Sequence, residues 1–220
     1  VVLAIPESSE NDALEGICKN RKWPCFRGSE NDLLDRHYQA AKAFDADIVL
    51  KIPSDVPLID PKVIDLVVQY YLNHAQAFDF VSNLHPPTWP DGMDVEVMPM
   101  PILETAWKEA QKAHEREHTT PFIWDNPHRF RIGNVAWDSG LDYSMSHRFT
   151  IDYPEDYSFI RAVYEALYPT KPMFGLDDIL QLLDKNPDIY QINAAFAGVN
   201  WHRNHLEDLQ TVRKDQTKNL

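Results

Sequence analysis

The chain has 220 residues, of which 44% are apolar, 25% charged and 11% aromatic, a composition that excludes collagen-like, coiled-coil and largely disordered proteins. The net charge of −13 disfavours duplex nucleic acid as a partner, because the chain repels a phosphate backbone. The two cysteines, Cys18 and Cys25, are too few for a disulfide framework, so we expect a reducing, cytoplasmic location. We expect no membrane association either, since no apolar run approaches the roughly 20 residues of a membrane span.

Strands and helices alternate through the first 82 residues. Predicted strands cover 1–5, 24–27, 47–52 and 78–82. Two cap signals, each a serine followed three residues later by an acid, begin at Ser9 and Ser29 and precede helices predicted over 13–19 and 33–44. Pro61 opens a third helix, whose apolar residues recur at helical spacing. This alternation predicts an α/β fold with a parallel sheet covered on both faces.

The pattern changes after residue 82. Alternating polar and apolar residues at 94–97 predict an antiparallel or edge strand, followed by a helix over 102–118 and a strand over 130–137. We interpret residues 83–147 as an insertion in the sheet order. A strand over 148–151, a helix from Pro154 and a short helix over 176–184 complete the prediction. The tail beyond them carries little functional signal.

Two aspartates follow predicted strands directly. Asp55 comes after the strand 47–52, and Asp152 comes after the strand 148–151. Ligands of wound α/β sheets bind outside the carboxyl ends of the strands, and paired carboxylates there suit Mg²⁺, which prefers oxygen ligands. The alternative is that each aspartate only caps a turn. Because the two lie far apart in the sequence, their spacing leaves open whether they meet.

Two further motifs bear on the kind of enzyme. Residues His114 to His118 satisfy the H-E-x-x-H pattern of zinc metalloproteases. A charged end of a surface helix is the favoured interpretation, because the neighbours are charged and Thr119-Thr120-Pro121 ends the helix at once; stoichiometric zinc would favour the protease. The seven glycines are too dispersed for a glycine-rich phosphate loop, so phosphate donors must come from Arg27, Arg36 or a preceding segment.

Segments along nearly the whole chain resemble the cytidylyltransferases of the acylneuraminate and 3-deoxy-octulosonate type, and most closely the spore-coat polysaccharide branch. They are residues 26–29 (FRGS) with 34–36 (LDR), 55–60 (DVPLID), 91–96 (DGMDVE), 116–122 (REHTTPF), 151–156 (IDYPED) and 192–194 (INA). The resemblance implies a Rossmann-like α/β fold of the GT-A type, forming one nucleotidyltransferase domain over 1–220. It implies transfer of CMP from CTP to a sugar acid or related sugar, with release of pyrophosphate, for surface polysaccharide biosynthesis.

The resemblance also implies roles for individual residues. Asp55 and Asp152 would be the catalytic Mg²⁺ ligands. The nucleotide would be held by residues at the first crevice, namely Arg27, Gly28, Ser29, Asp35 and Arg36. The sugar would be bound by residues of the middle segments, namely Asp91, Asp94, Glu96, Arg116 and His118. Residues 83–147 would contribute sugar binding and the contacts of a homodimer.

The family begins with a strand and a loop, containing glycine and arginine, that grips the triphosphate. This sequence starts after that loop, so we expect a longer parent protein and an inactive isolated chain. The first alternative is a non-catalytic remnant of the nucleotide fold that serves as a dimerisation or partner-binding module. The second is a metal-dependent glycosyltransferase on the same fold.

Overall fold

The computed structural model describes residues 1–219. The chain forms two compact units. One unit contains Val1–Val49 and Met98–Arg131, and the other contains Leu50–Val97 and the residues from Ile132 onward. Within the described residues, the helices are all too short or too polar to span a bilayer.

The described chain contains six strands and nine α-helices, which alternate singly only up to β4. The strands are β1 (Leu3–Pro6), β2 (Cys25–Gly28), β3 (Ile48–Lys51), β4 (Phe80–Ser82), β5 (Glu96–Pro99) and β6 (Ile132–Asn134). The helices are α1 (Asp12–Arg21), α2 (Leu33–Ala43), α3 (Pro61–Asn73), α4 (Met100–Glu109), α5 (Ala113–His118), α6 (Pro121–Trp124), α7 (Pro154–Leu167), α8 (Leu176–Lys185) and α9 (Pro187–Gln191). The predicted α/β class is confirmed.

The strand pairing is mostly parallel, as predicted. β1 and β2 are parallel, and the other sheet has the order β3-β5-β4-β6. In that sheet β4 is parallel to β6 and antiparallel to β5, which confirms an antiparallel strand close to residues 94–97. The ladders of the described residues therefore form two sheets, where the sequence predicts one.

The helix caps differ from the prediction. Asp32 is the residue that caps α2, because its Oδ1 accepts from the backbone N–H of Asp35 at 2.8 Å. Ser29 instead accepts from the backbone N–H of Asp32 at 3.1 Å. Ser9 makes no cap and lies in a short 3₁₀ helix. The carboxylate of Asp32 lies directly before the first turn, where it satisfies a free N–H group and complements the helix dipole. Asp32 therefore serves as the cap in place of Ser29.

The helix predicted over 102–118 is wrong in its continuity. α4 ends at Glu109, because the next residue, Ala110, has extended backbone angles. α5 ends at His118, as predicted, and Thr119 after it has a φ of 72°. Pro121 then begins α6, because proline suits the first turn of a helix but not its interior. The strand predicted over 130–137 is reduced to β6. The strand predicted over 148–151 is absent from the described residues, where Arg148 makes one isolated parallel bridge with Asp91.

The core of the second unit lies between its sheet strands and the helices α3, α7 and α8. The apolar faces of these helices meet the buried strand β4 and the segment that leads to β5. Their most completely buried members are Val67, Val81, Met93, Val95, Val163 and Ile179. Loops at the edges of this core carry the polar side chains described below.

Candidate active site

Four aspartates of the second unit form what we call the acidic cluster, consisting of Asp55, Asp91, Asp94 and Asp152. Asp55 follows β3, Asp91 and Asp94 precede β5, and Asp152 precedes α7. Asp55 and Asp152 are exposed, and the other two are half-buried. All four therefore lie in loops at the ends of regular elements, which is where binding residues are commonly found.

Backbone contacts join the loops that carry Asp55 and Asp152. The carbonyl oxygen of Asp55 accepts from the backbone N–H of Ile151 at 2.9 Å and from the hydroxyl of Thr150 at 3.2 Å. The structure thus brings together the two aspartates that the sequence predicts as partners.

The loop of Asp91 is joined to the same region. The backbone N–H of Asp91 donates to the carbonyl of His147 at 3.0 Å, and the N–H of Phe149 donates to the carbonyl of Asp91 at 2.7 Å. Gly92 follows with a φ of +99°, and a Cβ there would lie 2.7 Å from the backbone carbon of Phe149. This close approach requires glycine, because a side chain would meet backbone that cannot move aside.

Asp94 is positioned by its own loop. The side chain of the buried Asn83 donates to the carbonyl of Met93 at 2.6 Å and accepts from the N–H of Val95 at 3.0 Å. Within the loop, the N–H of Gly92 donates to Oδ1 of Asp94 at 3.2 Å. The amide clamp on both neighbours keeps the Asp94 carboxylate at the edge of the core.

Arg148 neutralises part of the acidic cluster. Its guanidinium is only 1% exposed and donates to Asp91 at 3.3 Å, to Asp152 and to both oxygens of Asp156 at 3.0 and 3.1 Å. It also donates to the carbonyl of Val199 at 2.7 Å. A buried arginine needs such partners, because an unpaired buried charge is strongly destabilising.

Asp156 anchors the beginning of α7. One of its oxygens accepts from the backbone N–H groups of Asp152 and Tyr153 at 3.0 Å, and the other accepts from Asn193 at 2.9 Å. Burial acts to raise the pKa of Asp156, but the hydrogen bond from Arg148 and these further donors lower it. Sequence reasoning missed both Asp156 and Arg148, although an acid three residues after a helix start is a recognisable capping signal.

The negative charge of the acidic cluster is only partly compensated by the nearby cations Lys51 and Arg148. Burial, together with the charge of Glu96 and that of Asp55, raises the pKa of Asp94 to about 6, although Lys51 opposes the shift. Burial and the charge of Asp94 raise the pKa of Asp91 well above its ordinary value. Desolvation and the charge of Asp152 likewise raise the pKa of Asp55. These shifts reflect burial first, and then the charges of carboxylates that lie close together.

Lys51 and Glu96 form an ion pair beside the cluster. The Lys51 Nζ lies 2.5 Å from Oε2 of Glu96, and the two side chains are 14% and 3% exposed. Glu96 is predicted to bind the sugar, and in this structure its carboxylate is held by Lys51. Its assignment to the sugar stays a prediction.

The donor set of the acidic cluster suits a hard divalent cation. All four side chains offer carboxylate oxygens, and the raised pKa values of Asp55, Asp91 and Asp94 indicate that added positive charge would stabilise their ionised forms. Asp152 uses one oxygen on Arg148, which leaves its other oxygen for a second partner. The residues present therefore fit Mg²⁺.

In the first unit, Arg27 is already surrounded by acceptors. Its guanidinium donates to Asp12 at 2.6 Å and to Glu15 at 2.8 Å, both on α1, and to the carbonyls of Glu7 and Ser8 at 3.0 and 2.8 Å. These contacts tie β2 to α1 and to the loop before it. The predicted nucleotide role of Arg27 stays a prediction.

Gly28, Ser29 and Arg36 lie together. A Cβ on Gly28 would come within 3.1 Å of the Arg36 Cγ, and the Arg36 guanidinium donates to the carbonyl of Ser29 at 2.8 Å. Burial lowers the pKa of Arg36. The buried Nε of Arg36 has no hydrogen-bond partner among residues 1–219, and buried donors are normally satisfied.

Asp35 binds protein groups. Its Oδ1 accepts from the indole N–H of Trp107 at 2.7 Å and from Gln39 at 3.1 Å. The Trp107 ring stacks on Tyr38 with their centroids 4.2 Å apart. Asp35 therefore helps to pack α2 against α4 in this structure, and a further contact with a nucleotide stays a prediction.

Arg116 and His118 lie on α5 in the first unit. Arg116 donates to Oδ2 of Asp32 at 2.9 and 2.6 Å and to the carbonyl of Trp107 at 2.7 Å. Asp32 thus caps α2 with one oxygen and binds Arg116 with the other. His118 is half-buried at the end of α5. The sugar-binding roles of both residues stay predictions.

The H-E-x-x-H motif is used for structure. Its glutamate, Glu115, is buried and accepts from the backbone N–H groups of Gln111 and Lys112, both at 3.1 Å. This carboxylate caps α5, a helix of only six residues. A metalloprotease needs the same carboxylate as a general base, so the geometry disfavours that alternative.

The second unit contains a small cavity that is not lined by any residue of the acidic cluster. Its volume is about 190 Å³, and it is lined by Tyr143, His147, Leu180, Leu183, Asp184 and Tyr190. Pockets for cofactor-sized ligands are typically about 300 Å³ or more. The cavity is therefore too small to enclose a nucleotide.

Comparisons with known proteins identify the family. A profile described as cytidylyltransferase matches residues 1–197. An uncharacterized protein of Methanocaldococcus jannaschii is 34% identical over 196 residues, covering 88% of this chain and 76% of that protein. The spore coat polysaccharide biosynthesis protein SpsF of Bacillus subtilis is 26% identical over 189 residues, covering 86% of this chain and 76% of SpsF.

A solved structure agrees with these matches. The structure of a cytidylyltransferase from Leptospira borgpetersenii has a TM-score of 0.80 and 32% sequence identity, covering 87% of this chain and 78% of that one. The α/β fold with its mostly parallel pairing is thus that of a solved cytidylyltransferase. Both the sequence profile and the structure point to nucleotidyl transfer of CMP, and the chain belongs to the cytidylyltransferase family.

Proposed function

We propose that this protein transfers CMP from CTP to a hydroxyl group of a sugar acid or related sugar, releases pyrophosphate and uses Mg²⁺ held by Asp55 and Asp152. The observation that carries the proposal is the acidic cluster within a cytidylyltransferase fold, where burial and then neighbouring carboxylates raise the pKa values of Asp55, Asp91 and Asp94. A carbohydrate acceptor is supported by the relative SpsF, which is named for spore coat polysaccharide biosynthesis.

The reaction exchanges one phosphorus–oxygen bond for another. The sugar hydroxyl oxygen bonds to the α-phosphorus of CTP. The bond from that phosphorus to the oxygen bridging the α- and β-phosphates breaks, so this oxygen leaves with pyrophosphate, and the hydroxyl proton is released to solvent. Bound Mg²⁺ supplies positive charge for the phosphates and for the leaving pyrophosphate. Asp55 and Asp152 are both exposed, which leaves their carboxylates accessible to an ion that enters from solvent.

The residues around these two carboxylates would position them. Arg148 and Asp156 hold the loop of Asp152 through buried contacts, and Thr150 and Ile151 hold the loop of Asp55. Such preorganisation reduces the entropy lost when a triphosphate is aligned with its acceptor.

The nucleotide and sugar contacts remain part of the proposal. For the nucleotide we propose Arg27, Gly28, Ser29, Asp35 and Arg36, and the buried Nε of Arg36 is the observation that favours an additional ligand there. For the sugar we propose the set Asp91, Asp94, Glu96, Arg116 and His118. A homodimer formed through residues 83–147 and a role in surface polysaccharide biosynthesis are further expectations.

Pyrophosphate release tests the function directly. The full-length protein is incubated with CTP, Mg²⁺ and N-acetylneuraminate or 3-deoxy-octulosonate, and pyrophosphate and the CMP-sugar are measured. We expect Asp55→Asn to lower turnover by about 100-fold or more, by analogy with other groups that stabilise transition-state charge. Asp65→Asn, at an exposed position on α3, is the matched control and should retain wild-type turnover.

The outcome separates the alternatives. Turnover of Asp55→Asn near that of the wild type would contradict the metal assignment. Cleavage of a UDP-sugar in place of CTP would favour a glycosyltransferase. Calorimetry that detects no CTP binding by the full-length protein in the presence of Mg²⁺ would favour the non-catalytic binding module.

A further inference from the structure

The segment after residue 197 contains a short basic and aromatic stretch that the family profile does not match. The profile ends at residue 197, and a 3₁₀ helix follows at Trp201–Asn204. This helix has the sequence WHRN and includes Arg203. It belongs to the second unit, as does the acidic cluster.

Arg148, which binds two aspartates of the acidic cluster, also holds this segment, and Asn200 fixes its local conformation. The guanidinium of Arg148 donates to the carbonyl of Val199 at 2.7 Å, and the side chain of Asn200 accepts from the N–H of His202 at 3.1 Å. The other end of the Asn200 side chain donates to the carbonyl of Gln216 at 3.0 Å. Arg148, which binds Asp91 and Asp152, therefore also holds the backbone that leads to Arg203.

Arg203 has unused hydrogen-bonding capacity. Its Nη2 lies 3.3 Å from the hydroxyl of Tyr153, and the residue is half-buried. In the part of the chain that the structure describes, no carboxylate forms a salt bridge with it. A guanidinium carries several N–H donors in a planar fork, so most of them remain available. By contrast, Lys51 and Arg148 already bind carboxylates.

Tyr153 fixes where that guanidinium lies. Its ring stacks on Phe196 with the centroids 4.3 Å apart, and the Arg148 guanidinium lies 5.4 Å from the ring centroid. Tyr153 directly follows Asp152 in the sequence. The hydroxyl therefore holds Arg203 beside the loop that carries a proposed metal ligand.

We propose that Arg203 binds an anionic oxygen group of a substrate at the acidic cluster, either a phosphate of CTP and pyrophosphate or the carboxylate of a sugar acid. The assignment rests on the proposed function and adds a binding residue from outside the family match. The four aspartates of the acidic cluster repel any such anion, so a cation besides the metal is needed at the position where the anion binds. A guanidinium suits both groups, because its fork matches two oxygens at once.

Direct binding measurements test the assignment. Calorimetry with Mg²⁺ compares wild type, Arg203→Gln and the control Arg213→Gln for CTP, pyrophosphate and cytidine. Arg213 lies in the same tail, is 70% exposed and pairs with Asp215. If the ligand is a phosphate, we expect Arg203→Gln to weaken CTP and pyrophosphate binding by about 10-fold or more and to leave cytidine binding unchanged. Arg213→Gln should leave all three affinities unchanged.

Steady-state kinetics distinguish the second source of the anion. If the ligand is a sugar carboxylate, Arg203→Gln leaves CTP and pyrophosphate affinities intact and raises the KM for N-acetylneuraminate or 3-deoxy-octulosonate about 10-fold. Arg203→Lys should recover part of the loss, since it restores the charge without the fork. Tyr153→Phe should give a smaller loss with the same ligand profile.

Two results would overturn this assignment alone, without contradicting the proposed function. One is an Arg203→Gln variant with wild-type affinities and KM values in an active protein, which would leave the proposed function intact. The other is equal weakening of cytidine and CTP binding with a lower melting temperature, which would indicate a structural role. A wild-type protein that binds neither CTP nor pyrophosphate would contradict the proposed function and this assignment together.

Discussion

Arg148 donates to both oxygens of Asp156, at 3.0 and 3.1 Å, and both side chains are almost completely buried. The pair fixes two things at once. Asp156 caps the helix that follows Asp152, and Arg148 reaches the acidic cluster through Asp91 and Asp152. A helix start and a proposed metal site therefore depend on one buried guanidinium.

Removal of that guanidinium should destabilise the protein strongly. We expect Arg148→Gln to lower the free energy of unfolding by about 3–5 kcal/mol, because it leaves Asp156 charged, buried and without its main partner. Urea denaturation followed by circular dichroism measures the change. Arg161→Gln is the control, since Arg161 pairs with Glu165 on the surface and such pairs contribute less than about 1 kcal/mol. Equal stability losses in the two variants would contradict the prediction.

The Lys51–Glu96 pair should behave as a coupled unit. Lys51→Met leaves a carboxylate that is 3% exposed without its cation, and we expect a loss of about 3 kcal/mol or more. The double variant Lys51→Met with Glu96→Gln should lose less than the sum of the two single losses, since it leaves no unpaired charge. A double-mutant cycle by chemical denaturation measures the coupling. Additive losses would show that the two side chains act independently.

Two glycines should respond in opposite directions to alanine. Gly92 has a φ of +99° and backbone atoms 2.7 Å from the position of a Cβ, whereas Gly16 lies within α1 with open space around it. We expect Gly92→Ala to cost about 2 kcal/mol or more through strain and steric conflict. Gly16→Ala should stabilise the protein by about 0.5–1 kcal/mol. Thermal denaturation measures both, and a harmless Gly92→Ala would refute the proposed need for glycine.

His85 should make folding sensitive to acid. Burial, with the nearby charges of His202 and Lys51, lowers the pKa of His85 to about 3. The unfolded chain, with a histidine pKa of about 6.5, then takes up the proton first, so stability falls as the pH drops from about 6.5 toward 3. The cost reaches about 2 kcal/mol at pH 5.

The variant His85→Gln lacks this titration. We expect its unfolding free energy to fall less than that of the wild type between pH 7 and pH 5, with the two compared by urea denaturation at each pH. Parallel pH profiles would show that His85 titrates normally in the folded protein. If the folded protein instead stabilised the charged form of His85, the unfolding free energy of His85→Gln would fall more than that of the wild type over the same pH range.

Local sequence patterns predicted a helix well where a proline at its start was followed by apolar residues at helical spacing. Pro61 and the apolar spacing after it predicted α3, which spans Pro61–Asn73. The helix over 102–118 was wrong in its continuity because its break depends on the extended backbone of Ala110, which no proline or glycine announces. Its end at His118 was predicted, since Pro121 follows shortly after it. The strand over 148–151 was wrong because those residues make side-chain and bridge contacts in place of an extended ladder.

The sequence by itself determined the α/β class, the family resemblance and the placement of Asp55 shortly after a strand, because these depend on periodicity and short motifs. Asp152 instead precedes α7, and the strand predicted before it does not form in the described residues. Only the tertiary structure decided which cations meet which carboxylates. Arg148 binds Asp91, which is 57 residues away, and the carbonyl of Val199, which is 51 residues away. Electrostatic pairing depends on distance in space, and sequence spacing beyond a few helical turns carries no information about that distance.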